Sequence, residues 1–148
     1  GFDLRGKTIG VIGTGKIGKA FINICNGFGM NVIAYDTYAN ADVEYVPLEE
    51  LLKYSDIISL HCPLTKQTHH IINSDSIKLM KNKPIILNTS RGGLINTKDL
   101  IQAIKTKDIS GACLDVYEEE SSIFYKDYSS EIINDETLLD SPLIDEDS

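Results

Sequence analysis

The sequence predicts an α/β fold, a doubly wound parallel sheet with helices covering both faces. Three observations predict it. Five short runs are solidly apolar rather than alternating, as strands buried on both faces must be. Stretches with helical spacing separate these runs, so strand and helix alternate along the chain. The first apolar run also ends in a glycine-rich turn, Gly13-Thr14-Gly15-Lys16-Ile17-Gly18, that opens directly into a helical pattern.

Residues 7–13 (KTIGVIG) read as the first buried strand. A helix is predicted over 17–28 from the spacing of Ile17, Phe21, Ile24 and Phe28, with Gly27 and Gly29 stopping it. Residues 31–35 (NVIAY) form a second strand, ended by Asp36. Residues 47–54 (PLEELLKY) carry proline at the first position and acids in the first turn, a helix start. Residues 56–61 (DIISLH) form a third strand, stopped by Pro63. A short helix over 74–81 has a Ser/Asp start, and 84–88 (PIILN) is a fourth strand. A helix over 97–106, with Thr97 as its cap, places Leu100, Ile101 and Ile104 on one face. Residues 110–116 (SGACLDV) form a fifth strand, after which the sequence turns polar and acidic.

The 148 residues suit one domain that buries roughly 70% of its unfolded surface. No apolar run approaches the ~18 residues of a membrane span, and no secretory leader opens the chain. Its first residue is Gly1 rather than Met, so the chain reads as excised from a longer one. The net charge of −8 is uneven: residues 115–148 hold twelve acids and one base, Lys126. No basic stripe suits nucleic acid, and the acidic stretch reads as a solvated surface. Cys25, Cys62 and Cys113 are odd in number and form no CxxC pair, so they read as buried free thiols of a reducing, cytoplasmic compartment. No Cys/His spacing suits a metal, and none is expected.

The doubly wound architecture places ligands just beyond the carboxyl ends of its strands. There the glycine turn matches G-x-G-x-x-G in its proper context, strand before and helix after, which makes the fold Rossmann-type and the ligand a dinucleotide. Gly13 makes the tight turn, Gly15 admits a pyrophosphate to the backbone, and Gly18 lets the helix pack close to the strand. The amides opening the helix, at Lys16 and Ile17, favour phosphate charge. Asp36 ends the second strand eighteen residues beyond Gly18. A carboxylate there accepts from ribose hydroxyls and repels a 2′-phosphate, and Thr37 and Tyr38 rather than an arginine follow it; the cofactor predicted is NAD. The plainer alternative is an aspartate serving its own turn.

With these residues in view, the run 1–21 (GFDLRGKTIGVIGTGKIGKAF) resembles the D-isomer-specific 2-hydroxyacid dehydrogenases. Three later blocks agree in order: His61-Cys62-Pro63-Leu64-Thr65, Asn88-Thr89-Ser90-Arg91-Gly92-Gly93, and Leu114-Asp115-Val116-Tyr117-Glu118-Glu119-Glu120. The resemblance spans about residues 1–138, and the stretch from Glu120 to Ile133 is similar to the D-lactate dehydrogenase branch. On local sequence alone, Arg91 serves equally well as a surface arginine capping the sheet. The resemblance implies that its two-pronged guanidinium binds the carboxylate of a 2-keto acid and polarises its carbonyl. Among three adjacent glutamates local chemistry makes no choice; the resemblance implies that Glu120 holds the catalytic histidine and raises its pKa. It further implies that Asp115 contacts the nicotinamide amide, that Thr89 and Ser90 lie near it, and that Cys62, Pro63 and Thr68 line the adenosine side. His61 is expected to be structural.

Two departures from the family pattern stand out. The segment between Asp36 and Glu44 is a few residues shorter, so a small helix there is expected to be missing. The block carrying the catalytic histidine and the sixth strand does not occur within these residues. The chain is therefore expected to be an NAD-binding domain fragment (1–148), truncated before the sixth strand and inactive by itself. The resemblance implies a homodimer and a 2-keto or 2-hydroxy acid partner. It leaves open another D-2-hydroxyacid, such as glyoxylate or phosphoglycerate chemistry, or a non-catalytic NAD-sensing scaffold.

Overall fold

The computed structural model describes residues 3–115. Val116, Glu120 and the acidic stretch lie outside the described residues. Within them runs β1 (Thr8–Ile12), α1 (Lys16–Gly27), β2 (Asn31–Tyr35), β3 (Glu44–Tyr45), α2 (Leu48–Tyr54), β4 (Ile57–Leu60), α3 (Ser74–Leu79), β5 (Ile85–Asn88), one 3-10 turn (Gly92–Leu94), α4 (Thr97–Lys105) and β6 (Gly111–Leu114). All five predicted strands form. The added strand, β3, is two residues long and carries no periodicity by which sequence could reveal it.

The sheet is parallel throughout, in the order β3-β2-β1-β4-β5-β6. The chain winds outward from β1 to β3, then returns to build β4 to β6 on the other side. The switch point lies between β1 and β4, where ligands bind in such sheets. Register aligns the carboxyl ends: Ile12 pairs with Tyr35 and Leu60, Leu60 with Asn88, and Asn88 with Leu114. The next residues, Asp36, Gly13, His61, Thr89 and Asp115, therefore stand in a row along one edge. Four strand spacings give that row a span of roughly 19 Å.

Helices lie on both faces, as expected, but they divide unevenly. Right-handed connections place α2, α3 and α4 on one face, over a core that includes Ile12, Leu51, Ile58, Leu60, Ile86, Leu100 and Ile101. Among the described residues α1 is the one helix on the other face, over Ile9, Val11, Ala34 and Ile57. Among the described residues nothing covers that face above β5 and β6. Leu87 is half-buried and Cys113 is exposed, whereas their neighbours Ile86 and Ala112 are fully buried. The prediction of three buried thiols fails at Cys113 for this reason; Cys25 and Cys62 are buried and free.

Helix α1 also turns a different face inward than its apolar stripe suggests. Gly18, Ile22 and Cys25 are buried, while Ile17, Ile24 and Phe28 are exposed. The close approach at Gly18 sets the rotation. A Cβ there would stand 2.2 Å from Gly13 O, so no larger residue can occupy that contact. Two caps shift by one residue. Asn73 caps α3 in a reciprocal box with Ser76, and Asn96, not Thr97, caps α4 by accepting from Asp99 N–H. No helix among the described residues is long and apolar enough to cross a membrane.

Candidate dinucleotide-binding site

The three glycines of the turn differ in what they must accommodate. Gly13 adopts φ +99°, and a Cβ on it would stand 2.4 Å from Cys62 N. Gly18 is excluded from growing by Gly13 itself. Gly15 is the opposite case: a Cβ there would meet nothing within 4 Å. The protein's own packing does not require glycine at 15; open space above the backbone is what it provides. Gly15 caps α1 without a side-chain hydrogen bond, and no acid lies in the first turn. The amides of Lys16 and Ile17 thus open a twelve-residue helix whose positive end meets no capping side chain among the described residues. These features fit a pyrophosphate.

Two clefts flank the turn. The first, about 430 Å³, is lined by Gly13, Asp36, Thr37, Cys62, Pro63 and Thr68, with Ile12, Tyr35 and Ile71 as its apolar floor. Here the structure brings together five predicted residues from three separate loops. Asp36 Oδ2 accepts from Thr14 N–H at 2.7 Å and from the Thr14 hydroxyl at 3.0 Å. Its Oδ1 accepts more weakly, from Tyr38 N–H at 3.3 Å and Thr37 Oγ1 at 3.4 Å. Asp36 therefore does serve its own turn, and Oδ1 retains capacity for better donors. Burial pushes its carboxyl up, but the bonds from Thr14, Tyr38 and Thr37 outweigh this and hold it below the usual aspartate range. Burial, with a smaller contribution from the Asp36 charge, pushes the Cys62 thiol up to about 11. Cys62 is thus a neutral wall. Thr68 Oγ1 donates to Pro63 O at 2.6 Å and accepts from Thr65 N–H at 2.7 Å, fixing the loop after β4.

The second cleft is a groove of about 450 Å³ lined by Ile17, Ala20, Phe21, Ile24, His61, Leu87, Thr89, Cys113 and Asp115. It holds the predicted Ile17, Thr89 and Asp115, and runs from the carboxyl edge down the open sheet face. His61 packs against Phe21, ring centroids 4.7 Å apart, and its Nε2 lies 2.8 Å from Ser59 Oγ. Burial holds His61 below the ordinary histidine range, so it is uncharged at neutral pH. His69 and His70 stack on one another elsewhere, at 3.8 Å.

Arg91 is exposed, in extended backbone just before the 3-10 turn. Its loop is clamped by Asn88, a fully buried amide that sequence reading passed over as a strand end. Asn88 Nδ2 donates to Arg91 O at 2.8 Å, and Asn88 Oδ1 accepts from Ser90 N–H at 3.0 Å. Ser90 Oγ then donates to Cys62 O at 3.1 Å, tying the loops after β4 and β5 together. Gly93 lies against Leu64, where a Cβ would come within 2.9 Å of its side chain. Sequence reasoning also missed Thr14, Asn40 and Tyr45, whose contacts with Asp36 and its loop join residues far apart in sequence. No cluster of metal-ligating side chains occurs among the described residues.

A switch-point glycine turn, an open helix end and a carboxylate closing β2 define an α/β dinucleotide-binding domain. The chain belongs to the D-isomer specific 2-hydroxyacid dehydrogenases as their NAD-binding domain, the model of which matches residues 1–144. It is 48% identical over 143 residues to D-lactate dehydrogenase of Escherichia coli, covering 93% of this chain and 44% of that protein. The structure of Salmonella D-lactate dehydrogenase superposes with a TM-score of 0.80 at 46% identity, covering 95% of this chain and 44% of that one. The NAD-complexed D-isomer specific 2-hydroxyacid dehydrogenase of Lactobacillus delbrueckii ssp. bulgaricus gives 0.77 at 36% identity, covering 82% and 40%. The chain spans less than half the length of the curated relatives it matches.

Proposed function

We propose that the protein carrying this chain transfers hydride between NADH and a 2-keto acid, with pyruvate and D-lactate as the pair. Arg91 carries the substrate side of this reading. Among the described residues its guanidinium has no hydrogen-bond or ion-pair partner, while its backbone is held rigidly by Asn88. A held backbone presenting an exposed, planar, two-pronged cation suits a small carboxylate. The D-lactate dehydrogenases among the relatives favour pyruvate as that carboxylate's owner.

When bound, the reduced nicotinamide supplies the hydride that reaches the keto carbon. This chain's residues hold and orient. Gly13, Gly15, Lys16, Ile17 and Gly18 receive the pyrophosphate; Asp36 accepts from the adenosine ribose, with Cys62, Pro63 and Thr68 walling that side. Thr89, Ser90 and Asp115 border the nicotinamide. Arg91 grips the carboxylate and draws electron density from the neighbouring carbonyl. Glu120 holds a histidine in its protonated form, and that histidine gives the carbonyl oxygen its proton. By position in the chain none of His61, His69 and His70 matches that histidine; His61 instead pairs with Ser59, and the other two stack on one another. The reading includes a cytoplasmic homodimer joined through this domain, and no activity from the 148 residues alone.

The test is turnover by the full-length protein. NADH oxidation with pyruvate should yield D-lactate, and Arg91→Lys should lower kcat/KM for pyruvate by a factor worth about 2–5 kcal/mol while leaving NADH affinity within about twofold. Turnover of glyoxylate or a phosphoglycerate-type substrate in place of pyruvate would change the substrate. No turnover of any keto acid, with NADH bound, would make the protein a binding scaffold.

A further inference from the structure

The Tyr45 hydroxyl sits where three segments meet. It accepts from Asn40 N–H at 3.1 Å and Ala41 N–H at 3.0 Å, and lies 2.9 Å from Thr14 Oγ1. Proton accounting fixes the direction of the last bond. Thr14 has one hydroxyl proton and two acceptors for it, Asp36 Oδ2 at 3.0 Å and Asn40 Oδ1 at 3.1 Å. The carboxylate is the stronger acceptor. Tyr45, which takes two backbone N–H groups, gives its own proton to Thr14. The relay runs from Tyr45 through Thr14 to Asp36, and Thr14 is fully buried.

The anchor of this relay is the sheet. Tyr45 belongs to β3, and it pairs in register with Ala34 of β2. Its hydroxyl therefore holds the irregular segment 37–43 from a fixed support. That segment follows Asp36 directly and contributes Thr37 and Tyr38 but no cation.

We propose that Tyr45 is a positioning residue for cofactor choice. Acting through Thr14, it fixes the orientation of the Asp36 carboxylate and pins segment 37–43 beside it, so that a ribose diol is accepted and a bulkier, charged 2′-phosphate is excluded. This rests on the reading that Asp36 faces the adenosine ribose. A carboxylate free to swing, beside a loop free to lift, binds the diol less well and yields room to the phosphate. Rejection of NADPH thus has two parts, the charge of Asp36 and the pinned loop.

The experiment measures NADH and NADPH affinities of the full-length protein and its variants by calorimetry. Asp36→Ala tests the underlying reading: an unchanged NADH/NADPH ratio there would remove Asp36 from the ribose. Where Asp36→Ala narrows the ratio, Tyr45→Phe should weaken NADH roughly 3–10-fold, the loss of one or two hydrogen bonds, while NADPH, given room by the freed loop, holds its affinity or gains. Thr14→Val should reproduce that narrowing and Thr14→Ser should restore the native ratio. Adding Tyr45→Phe to Asp36→Ala should narrow the ratio further, but by less than Tyr45→Phe does alone, the pinned loop's share being all that is left to lose. A Tyr45→Phe protein with lowered Tm but a native ratio would make Tyr45 merely structural and overturn the proposal. Should Tyr45→Phe fail to fold, equal ratios in Thr14→Val and Thr14→Ser would overturn it just as firmly.

Discussion

The two clefts beside the glycine turn share an edge of the sheet and little else. The Asp36 side is wired by hydrogen bonds that cross the sequence: Thr14 to Asp36, Tyr45 to Thr14, and Ser90 to Cys62. The Cys113 side is apolar and walled by α1 along one flank, with Ile17 and Ile24 exposed. The difference follows from winding. Right-handed connections send α2, α3 and α4 to one face, leaving α1, among the described residues, by itself on the other. The first cleft is therefore a preorganised polar receptor made by this chain. The second is an open apolar surface at whose edge Thr89 and Asp115 are placed.

The largest effect that can break this comparison comes from the turn between the clefts. Gly18→Ala forces a Cβ to within 2.2 Å of backbone, and Gly13→Ala adds a strained positive φ to a 2.4 Å contact. Overpacking of this kind costs about 1–3 kcal/mol when side chains can yield. Backbone cannot, so these variants of the full-length protein should lose most of their folded population, read by circular dichroism and melting. Gly15→Ala meets nothing. It should change stability by less than about 1 kcal/mol, the spread among poor and fair helix caps. It should nonetheless weaken NADH roughly tenfold or more, because the methyl occupies the pyrophosphate's approach. Native NADH affinity in Gly15→Ala would mean that the cofactor does not cross the turn there, and the two clefts would not be halves of one site.

The contrast also explains what was legible in the sequence. Buried parallel strands announce themselves as apolar runs, so all five strands longer than two residues were readable. So were Gly13 and Gly18, because a turn and a close helix–strand contact each demand glycine locally. What escaped was set by partners far along the chain. Tyr45 reaches back 31 positions to Thr14, and the two-residue strand that holds it has no pattern. Asn88 reads as a strand end, yet its buried amide sets the backbone of Arg91. The inner face of α1 was misleading for a related reason. The apolar stripe through Ile17 and Ile24 gives the period of the helix, but the contact at Gly18 decides its rotation. The expected loss of a helix between Asp36 and Glu44 matches the structure, in which 37–43 is irregular.

The smallest effect distinguishes the clefts by pH. Asp36 is held below the usual aspartate range by its hydrogen bonds, against the effect of burial. A lowered carboxyl stabilises the fold above its unfolded pKa, about 3.9, and that contribution is lost as pH falls through the folded value. Asp36→Asn should thus be slightly less stable than the native protein at pH 7, with the gap closing only below about pH 4. His61 belongs to the other cleft, and burial lowers its pKa. The folded state keeps it neutral while the unfolded chain takes up a proton below about pH 6.5, so its contribution is present above that value and lost as pH falls toward the folded pKa. The gap between native protein and His61→Gln should begin to close near pH 6.5, well before Asp36 titrates. Melting temperatures of the three proteins across this range give two separate acid limbs, one for each cleft. Both limbs are small beside the glycine effects, because Asp36 and His61 are each only half-buried. A single limb removed by Asp36→Asn, with His61→Gln parallel to the native protein at every pH, would show that the groove beside His61 is open enough to solvate an imidazolium and that its apolar character has been overstated.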